Sequence, residues 1–277
     1  MAERIQSPSS INTYKQCPRK YYYQYIVRLD TKPSIHLLRG EIVHRTLEDF
    51  FQLTDIPASD YALRFQVEAL GLLKKHWHAN ILTLSQLESD EALEFYLHES
   101  QLMLVNITNV FTKRFEKELR KGIPAGAAFQ NITPKVEEEF ISHNLKVRGY
   151  IDAIESGDDG IRIMDYKTSK ITEINDSYRL QLAIYALLYE EKHGRKPDKV
   201  GIYFLKASER LLDVTDDMLH FARKEIEQIH KNTKSDEMKS YPMKPSRLCN
   251  WGNGKCDFYD LCYENDKEYE KLLKIKH

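Results

Sequence analysis

Val147-Arg148-Gly149-Tyr150-Ile151-Asp152-Ala153-Ile154 and Ile161-Arg162-Ile163-Met164-Asp165-Tyr166-Lys167 alternate with period two and predict two strands. Between them Gly157-Asp158-Asp159-Gly160 is turn chemistry, so the two should pair as a hairpin. Residues two apart on a strand share a face, and Ile161, Ile163, Asp165 and Lys167 therefore form one face that begins apolar and ends in a charged pair. Cα atoms two residues apart lie about 7 Å apart, close enough for a carboxylate and an ammonium to serve one small site. There the carboxylate can hold a divalent cation, and the ammonium can steady a hydroxide or a pentavalent phosphorus. Hairpin pairing can carry the carboxylate of Asp152 to the same place. Taken alone, an Asp-x-Lys is an ordinary surface ion pair. Here an apolar strand precedes it, and Thr168 and Ser169 follow.

Val136-Glu137-Glu138-Glu139-Phe140-Ile141 predicts a further strand before the hairpin, with Asn144 in the turn between. After the hairpin come an amphipathic helix from Asp176 to His193, closed by Gly194 and Pro197, a strand over Val200-Gly201-Ile202-Tyr203-Phe204-Leu205, and a helix from Asp216 to His230. On the first of these helices Gln181 and Tyr185 are one turn apart, with Tyr178 on the same face. Upstream, Ser9 or Ser10 can cap a helix through Ile11, Tyr14 and Cys17. Beyond Gly40, the residues Ile42, Val43, Leu47, Phe50 and Phe51 mark an apolar helical face, with His44 and Glu48 on another side. Three- and four-residue apolar spacings from 57 to 126 predict an all-helical insertion, closed by Gly122, Pro124 and Gly126. The order predicts an α/β class with a mixed central sheet flanked by helices and a large helical insertion.

With 277 residues, 42% hydrophobic and 30% charged, the chain should bury a proper core, which excludes disorder. No run reaches eighteen apolar residues and the first residues carry no apolar block, which predicts a cytoplasmic protein without a membrane span. The net charge of −1 means that any attraction to phosphate must be local. Four cysteines in a reducing compartment read as ligands or buried thiols. Cys17 stands alone, whereas Cys249, Cys256 and Cys262 form C-x6-C-x5-C around Gly252, Asn253 and Gly254, whose glycines permit positive φ values that let side chains converge. An iron-sulphur cluster, a zinc ion and reduced structural thiols all remain open on spacing. Gly252-Asn253-Gly254-Lys255 does not have P-loop spacing, and no covalent nucleophile is needed. Arg19 and Lys20 beside Tyr21, Tyr22 and Tyr23 form either a patch for phosphate contact and base stacking or part of a core. His76-Trp77-His78 reads as helix surface and core. Lys267, Lys271, Lys274 and Lys276, alternating with Glu264, Glu268 and Glu270, read as a solvated helix.

Six stretches in order resemble the RecB-type exonuclease branch of the PD-(D/E)XK nuclease superfamily, particularly its cluster-bearing CRISPR-associated and AddB-like members. Ser9-x4-Tyr14-x2-Cys17-Pro18-Arg19-Lys20-Tyr21-Tyr22 resembles the family's N-terminal cysteine motif, and Gly40-Glu41-Ile42-Val43-His44 its histidine motif. Gly149-Tyr150-Ile151-Asp152 and Asp165-Tyr166-Lys167-Thr168 resemble its two acid motifs. Gln181-Leu182-Ala183-Ile184-Tyr185 is similar to its substrate-side helix, and Cys249, Cys256 and Cys262 to its C-terminal trio. The C-x6-C-x5-C spacing departs from the family's common C-x2-C-x5-C. The resemblance implies a single nuclease domain over 1–277 with a restriction-endonuclease-like core. It implies Mg²⁺ or Mn²⁺ held by His44, Asp152, Asp165 and the Tyr166 carbonyl; Lys167 orienting the attacking water; and Gln181 and Tyr185 positioning the lysine or the DNA. It further implies a [4Fe–4S] cluster on Cys17, Cys249, Cys256 and Cys262, with zinc as the alternative. The implied substrate is DNA, as single-stranded ends, and the implied partner a helicase or a CRISPR-adaptation protein. The competing readings are a non-catalytic DNA-binding protein and a zinc-stabilised interaction protein.

Overall fold

The computed structural model describes residues 4–56, 59–157, 160–252 and 254–263. Pro57, the turn residues Asp158 and Asp159, Asn253 and the lysine-rich C-terminal stretch expected to be a solvated helix lie outside the described residues. The described residues fall into two compact units, one within Met1–Lys32, Ser142–Arg148 and Phe221–His277, the other within Pro33–Ile141 and Gly149–His220.

The larger unit is built on a sheet of five strands in spatial order β1-β2-β3-β4-β5: β1 Lys135–Ser142, β2 Val147–Gly157, β3 Gly160–Lys167, β4 Lys199–Phe204 and β5 Glu209–Asp213. β2 and β3 pair antiparallel with Ala153 opposite Met164, as the hairpin reading requires. β3 and β4 run parallel, with Asp165 opposite Ile202 and Lys167 opposite Phe204. A parallel neighbour needs a crossover, and α8, Asp176–His193, supplies it. Asn175 caps this helix, accepting a hydrogen bond from the Tyr178 N–H at 2.9 Å, and Gly194 ends it at φ 69°. The expectation of an amphipathic helix is corrected here: the run from Leu182 to Tyr189 is buried on every side, so α8 is a core helix.

The sequence does not predict β5. Glu209-Arg210-Leu211-Leu212-Asp213 does not alternate, and its strand character comes from antiparallel pairing with β4, where Gly201 lies opposite Leu211. A Cβ on Gly201 would meet the Arg210 carbonyl oxygen at 2.6 Å, so glycine is what lets this charged edge strand approach.

Helices α3 Ile35–Phe51, α4 Tyr61–Ala79, α5 Ile81–Leu87, α6 Asp90–Leu119 and α7 Ala125–Ile132 precede the sheet. Phe50, Phe65, Phe111, Phe115 and Phe129 meet between these helices with ring centroids 5.2–6.3 Å apart. The same core takes in Ala153, Met164, Tyr166 and Tyr203 from the sheet, so the helical segment and the strands share one apolar interior. Trp77 is buried in it, while His76 bonds Asp49 at 2.9 Å and His78 is exposed.

The smaller unit opens with α1, Pro8–Gln16. Its cap is Ser7, not Ser9 or Ser10: the Ser7 hydroxyl accepts from the Ser10 N–H at 3.1 Å while the Ser7 N–H donates to the Ser10 hydroxyl at 2.8 Å. Pro8 at the first helical position fits that register. The helix stops one residue short of Cys17, which is extended at φ −158°, and α2 Pro18–Tyr21 follows, continuing as a π-helical stretch over Tyr22–Val27. Tyr21, Tyr22 and Tyr23 are buried against Tyr241 and Phe258, which corrects the stacking-platform reading of this run: it is core. The remaining elements are α9 Asp216–Asn232, a 3-10 turn Met238–Ser240, a two-residue hairpin β6 Asn250–Trp251 and β7 Gly254–Lys255, and α10 Tyr259–Tyr263. Within that hairpin, Gly252 does not adopt a positive φ, and Gly254 matters because a Cβ there would meet the Trp251 indole at 2.8 Å.

Candidate active site

Asp165 is the last buried acid on β3 before the strand ends at Lys167, and it is 1% exposed. The ammonium of Lys167 lies 2.7 Å from its Oδ2, and the Gln181 amide on α8 donates to its Oδ1 at 2.8 Å. The same amide nitrogen lies 2.9 Å from the Tyr185 hydroxyl, so Gln181 and Tyr185 act as one brace one helical turn long. Tyr185 can lie flat on β2 because Gly149 has no side chain: a Cβ there would meet the ring at 2.8 Å. Lys167 also sits over the Tyr178 ring, 5.5 Å from its centroid.

Asp152 is in the interior of β2, not at its end, and its Oδ2 accepts from the Tyr166 N–H at 2.8 Å. From α3, the His44 Nε2 lies 2.8 Å from the Tyr166 carbonyl oxygen. Its Nδ1 lies 3.5 Å from Asp152 Oδ2 and 3.9 Å from Glu137 Oε1. The sequence-predicted His44, Asp152, Asp165, Tyr166, Lys167, Gln181 and Tyr185 are thus brought together. Glu137 joins them without a signal in the sequence. The run Glu137-Glu138-Glu139 offers three acids, and only the tertiary register selects the first. Glu137 also holds a left-handed φ of 51° inside β1, a conformation that costs a non-glycine residue about 1–2 kcal/mol.

Donor atoms of His44, Glu137 and Asp152 lie within 4.8 Å of one another. An octahedral ion with ligands at about 2.1 Å spaces its donors about 3 to 4 Å apart, so this set fits a divalent cation after small side-chain closure. Burial, together with the charge of Asp165, pushes the Asp152 carboxyl up to about 7. Burial alone would lower His44, but the carboxylates of Asp152, Glu137 and Asp165 outweigh it and raise the imidazole to about 9. Lys167 is likewise raised by Asp165 and Asp152 against the effect of burial, so it stays an ammonium.

These shifts fix a sign for stability. Both folded values lie above the unfolded ones, so each group's contribution is complete at low pH and is lost as pH rises, for Asp152 from about 4 to 7 and for His44 from about 6.5 to 9. The metal-free protein is expected to lose a few degrees of Tm between pH 6.5 and 9 in EDTA. Thermal melts across that window check it, and a Tm that climbs with pH would contradict the charge arrangement.

In the smaller unit, Cys17, Cys249, Cys256 and Cys262 are free thiols that line one small cavity with Lys20, Phe258, Tyr259 and Tyr263. Among the described residues, no three of the four sulfurs come within 4.8 Å of one another. Burial raises the Cys256 thiol and pushes Cys262 up to about 11, against the opposing influence of Lys20 on the first and Arg19 on the second.

A mixed sheet whose parallel strand ends in an acid and a lysine thus stands beside a His44, Glu137 and Asp152 set that could hold a cation. Comparison with known proteins gives the family. A sequence profile of the PD-(D/E)XK nuclease superfamily matches residues 6–263, and the chain belongs to that superfamily. It is 26% identical over 212 residues to the Gene 69 protein of Mycobacterium phage D29, covering 73% of this chain and 74% of that one. It is 36% identical over 86 residues to an ATP-dependent helicase/nuclease polypeptide of Ligilactobacillus salivarius, which is 30% of this chain and only 6% of that much longer protein. A crystal structure of a candidate exonuclease from Eubacterium rectale superposes with a TM-score of 0.50 at 14% identity, covering 95% of this chain and 94% of that one. The likeness supports the fold, a restriction-endonuclease-like sheet flanked by helices. No helix among the described residues is long and apolar enough to cross a membrane.

Proposed function

We propose that this nuclease is a metal-dependent deoxyribonuclease of the RecB type, a single nuclease domain with a helical insertion, acting as an exonuclease on single-stranded DNA ends. The observation that carries the reading is the pairing of two groups at neighbouring strands: Asp165 held by Lys167 and Gln181 at the end of β3, and His44, Glu137 and Asp152 with donor atoms within 4.8 Å of one another. His44, Asp152, Asp165 and the Tyr166 carbonyl would hold Mg²⁺ or Mn²⁺, with Glu137 as an added carboxylate; an imidazole in the set favours Mn²⁺. When bound, such an ion lowers the pKa of water and withdraws charge from the scissile phosphate.

The chain's own groups do the rest. Lys167, kept protonated by its two acid neighbours, orients the attacking water and offsets charge building on the phosphorus. Gln181 holds Asp165 in one rotamer and passes the constraint to Tyr185, whose hydroxyl stays neutral because burial raises it well above its ordinary value. His44, Glu137 and Asp152 would hold the cation with the imidazole neutral, so binding would release the His44 proton.

Cys17, Cys249, Cys256 and Cys262 would hold a [4Fe–4S] cluster. What supports a shared group is that the four thiols line one cavity, with zinc held by the same four as the alternative. The name of the helicase/nuclease relatives supports a helicase as partner, with a CRISPR-adaptation protein as the other reading. The test is direct: purified protein with Mn²⁺ or Mg²⁺ should shorten end-labelled single-stranded DNA and leave a circular single strand intact. Cutting of the circle would overturn the exonuclease reading, and no cutting of any DNA with either ion would overturn the nuclease reading.

A further inference from the structure

We infer that Glu99 and Asn106 of α6 are positioning residues for Lys167, so that the helical segment sets the geometry of the reacting group; this rests on the reading of Lys167 just given. Glu99 receives two cations from opposite sides. Its Oε2 accepts from Arg39 on α3 at 2.6 Å, and its Oε1 accepts from Lys206, just past β4, at 2.6 Å. The three side chains are 18, 4 and 19% exposed respectively, so water screens this node weakly. Those hydrogen bonds outweigh burial and hold the Glu99 carboxyl below its ordinary range.

From this node one relay runs to the site. The second Arg39 nitrogen donates to the carbonyl of Thr168, the residue that follows Lys167, at 3.3 Å, while the guanidinium lies over the Tyr96 ring at 5.1 Å. Arg39 is five residues before His44 on α3, so the same contact also ties the histidine's helix to the end of β3.

A second relay starts seven residues further along α6, on the same face of the helix. The Asn106 amide donates to the Leu205 carbonyl at 3.1 Å, and the Leu205 N–H donates to the Lys167 carbonyl at 3.0 Å. The two relays therefore end on the successive carbonyls of Lys167 and Thr168, where β3 ends. Lys167 is the last ladder residue of β3, opposite Phe204, so these contacts hold the backbone from which its side chain reaches Asp165 and Tyr178. A displacement on the order of 1 Å in such a group costs about 100-fold in rate.

Glu99→Gln and Asn106→Leu in the full chain test this. Both should fold, Asn106→Leu melting close to the wild type and Glu99→Gln lower because Arg39 and Lys206 lose their counter-charge, and both should leave KM for a single-stranded oligonucleotide unchanged and lower kcat about 10- to 100-fold. Hydrogen exchange of the Leu205 amide should quicken in Asn106→Leu while protection elsewhere in the sheet stays as it was. Should Glu99→Gln fail to fold, Asn106→Leu decides alone. Wild-type kcat in the folded variants, or a rise confined to KM, overturns the inference. Asp165→Ala run alongside separates the two readings: if it cuts DNA as well as the wild type, the nuclease site is wrong, and unchanged Leu205 exchange still counts independently against the clamp.

Discussion

Asp165→Ala is expected to lower metal-dependent DNA hydrolysis by at least about 10³-fold while leaving the fold intact. The size of the effect follows from how many contacts meet on this one carboxylate. It is the buried acid at the end of β3, it fixes Lys167 at 2.7 Å, and it receives the Gln181 amide at 2.8 Å. Removing it would take away a proposed cation ligand and free the lysine in the same step. Asp165→Asn, which keeps the shape and the Gln181 contact region but not the charge, should be nearly as inactive. A circular dichroism spectrum and melt on each variant, with the rate on end-labelled DNA, checks this. Activity within a few-fold of wild type in both would remove Asp165 from the chemistry.

Cys262→Ser is expected to have the second largest effect, on stability first. Cys262 belongs to α10 near the chain's end, and Cys17 follows α1 at its start, so a group bound by both closes a very long loop and joins the ends of the smaller unit. Wild-type protein prepared without oxygen should be brown and carry about four irons and four sulfides per chain. The variant should be colourless and melt about 10 °C lower. Metal analysis and thermal melting read both outcomes. A colourless wild type with one zinc per chain would replace the cluster with zinc and leave the acid site untouched.

The parts of the molecule legible in the sequence are those written locally. Period-two alternation marks β1 to β3, a short apolar run marks β4, Gly194 closes α8, and the spacing of Asp165 and Lys167 puts both on one face of β3. What escapes such a reading depends on partners distant in sequence. β5 is a strand because Gly201 lets it approach β4, and nothing within Glu209–Asp213 announces it. Glu137 is one of three consecutive glutamates, and only the tertiary register places it 3.9 Å from His44. The burial of Tyr21, Tyr22 and Tyr23 follows from Tyr241, more than two hundred residues away, so the run beside Arg19 cannot be told from an exposed platform by local pattern. Glu99 and Asn106 lie in a stretch that reads only as helix, and their meaning emerges once the ends of β3 and β4 are beside them.

One divalent cation is expected among His44, Glu137 and Asp152, with Asp165 and Lys167 beside them. Calorimetric titration of Mn²⁺ into cluster-intact protein, compared with Asp152→Asn, tests it without reference to activity. One Mn²⁺ per chain is expected in the wild type, with protons released on binding near pH 7.5 as His44 gives way, and at least about tenfold weaker binding in the variant. Equal affinity in the two proteins, or binding without proton release, would contradict it.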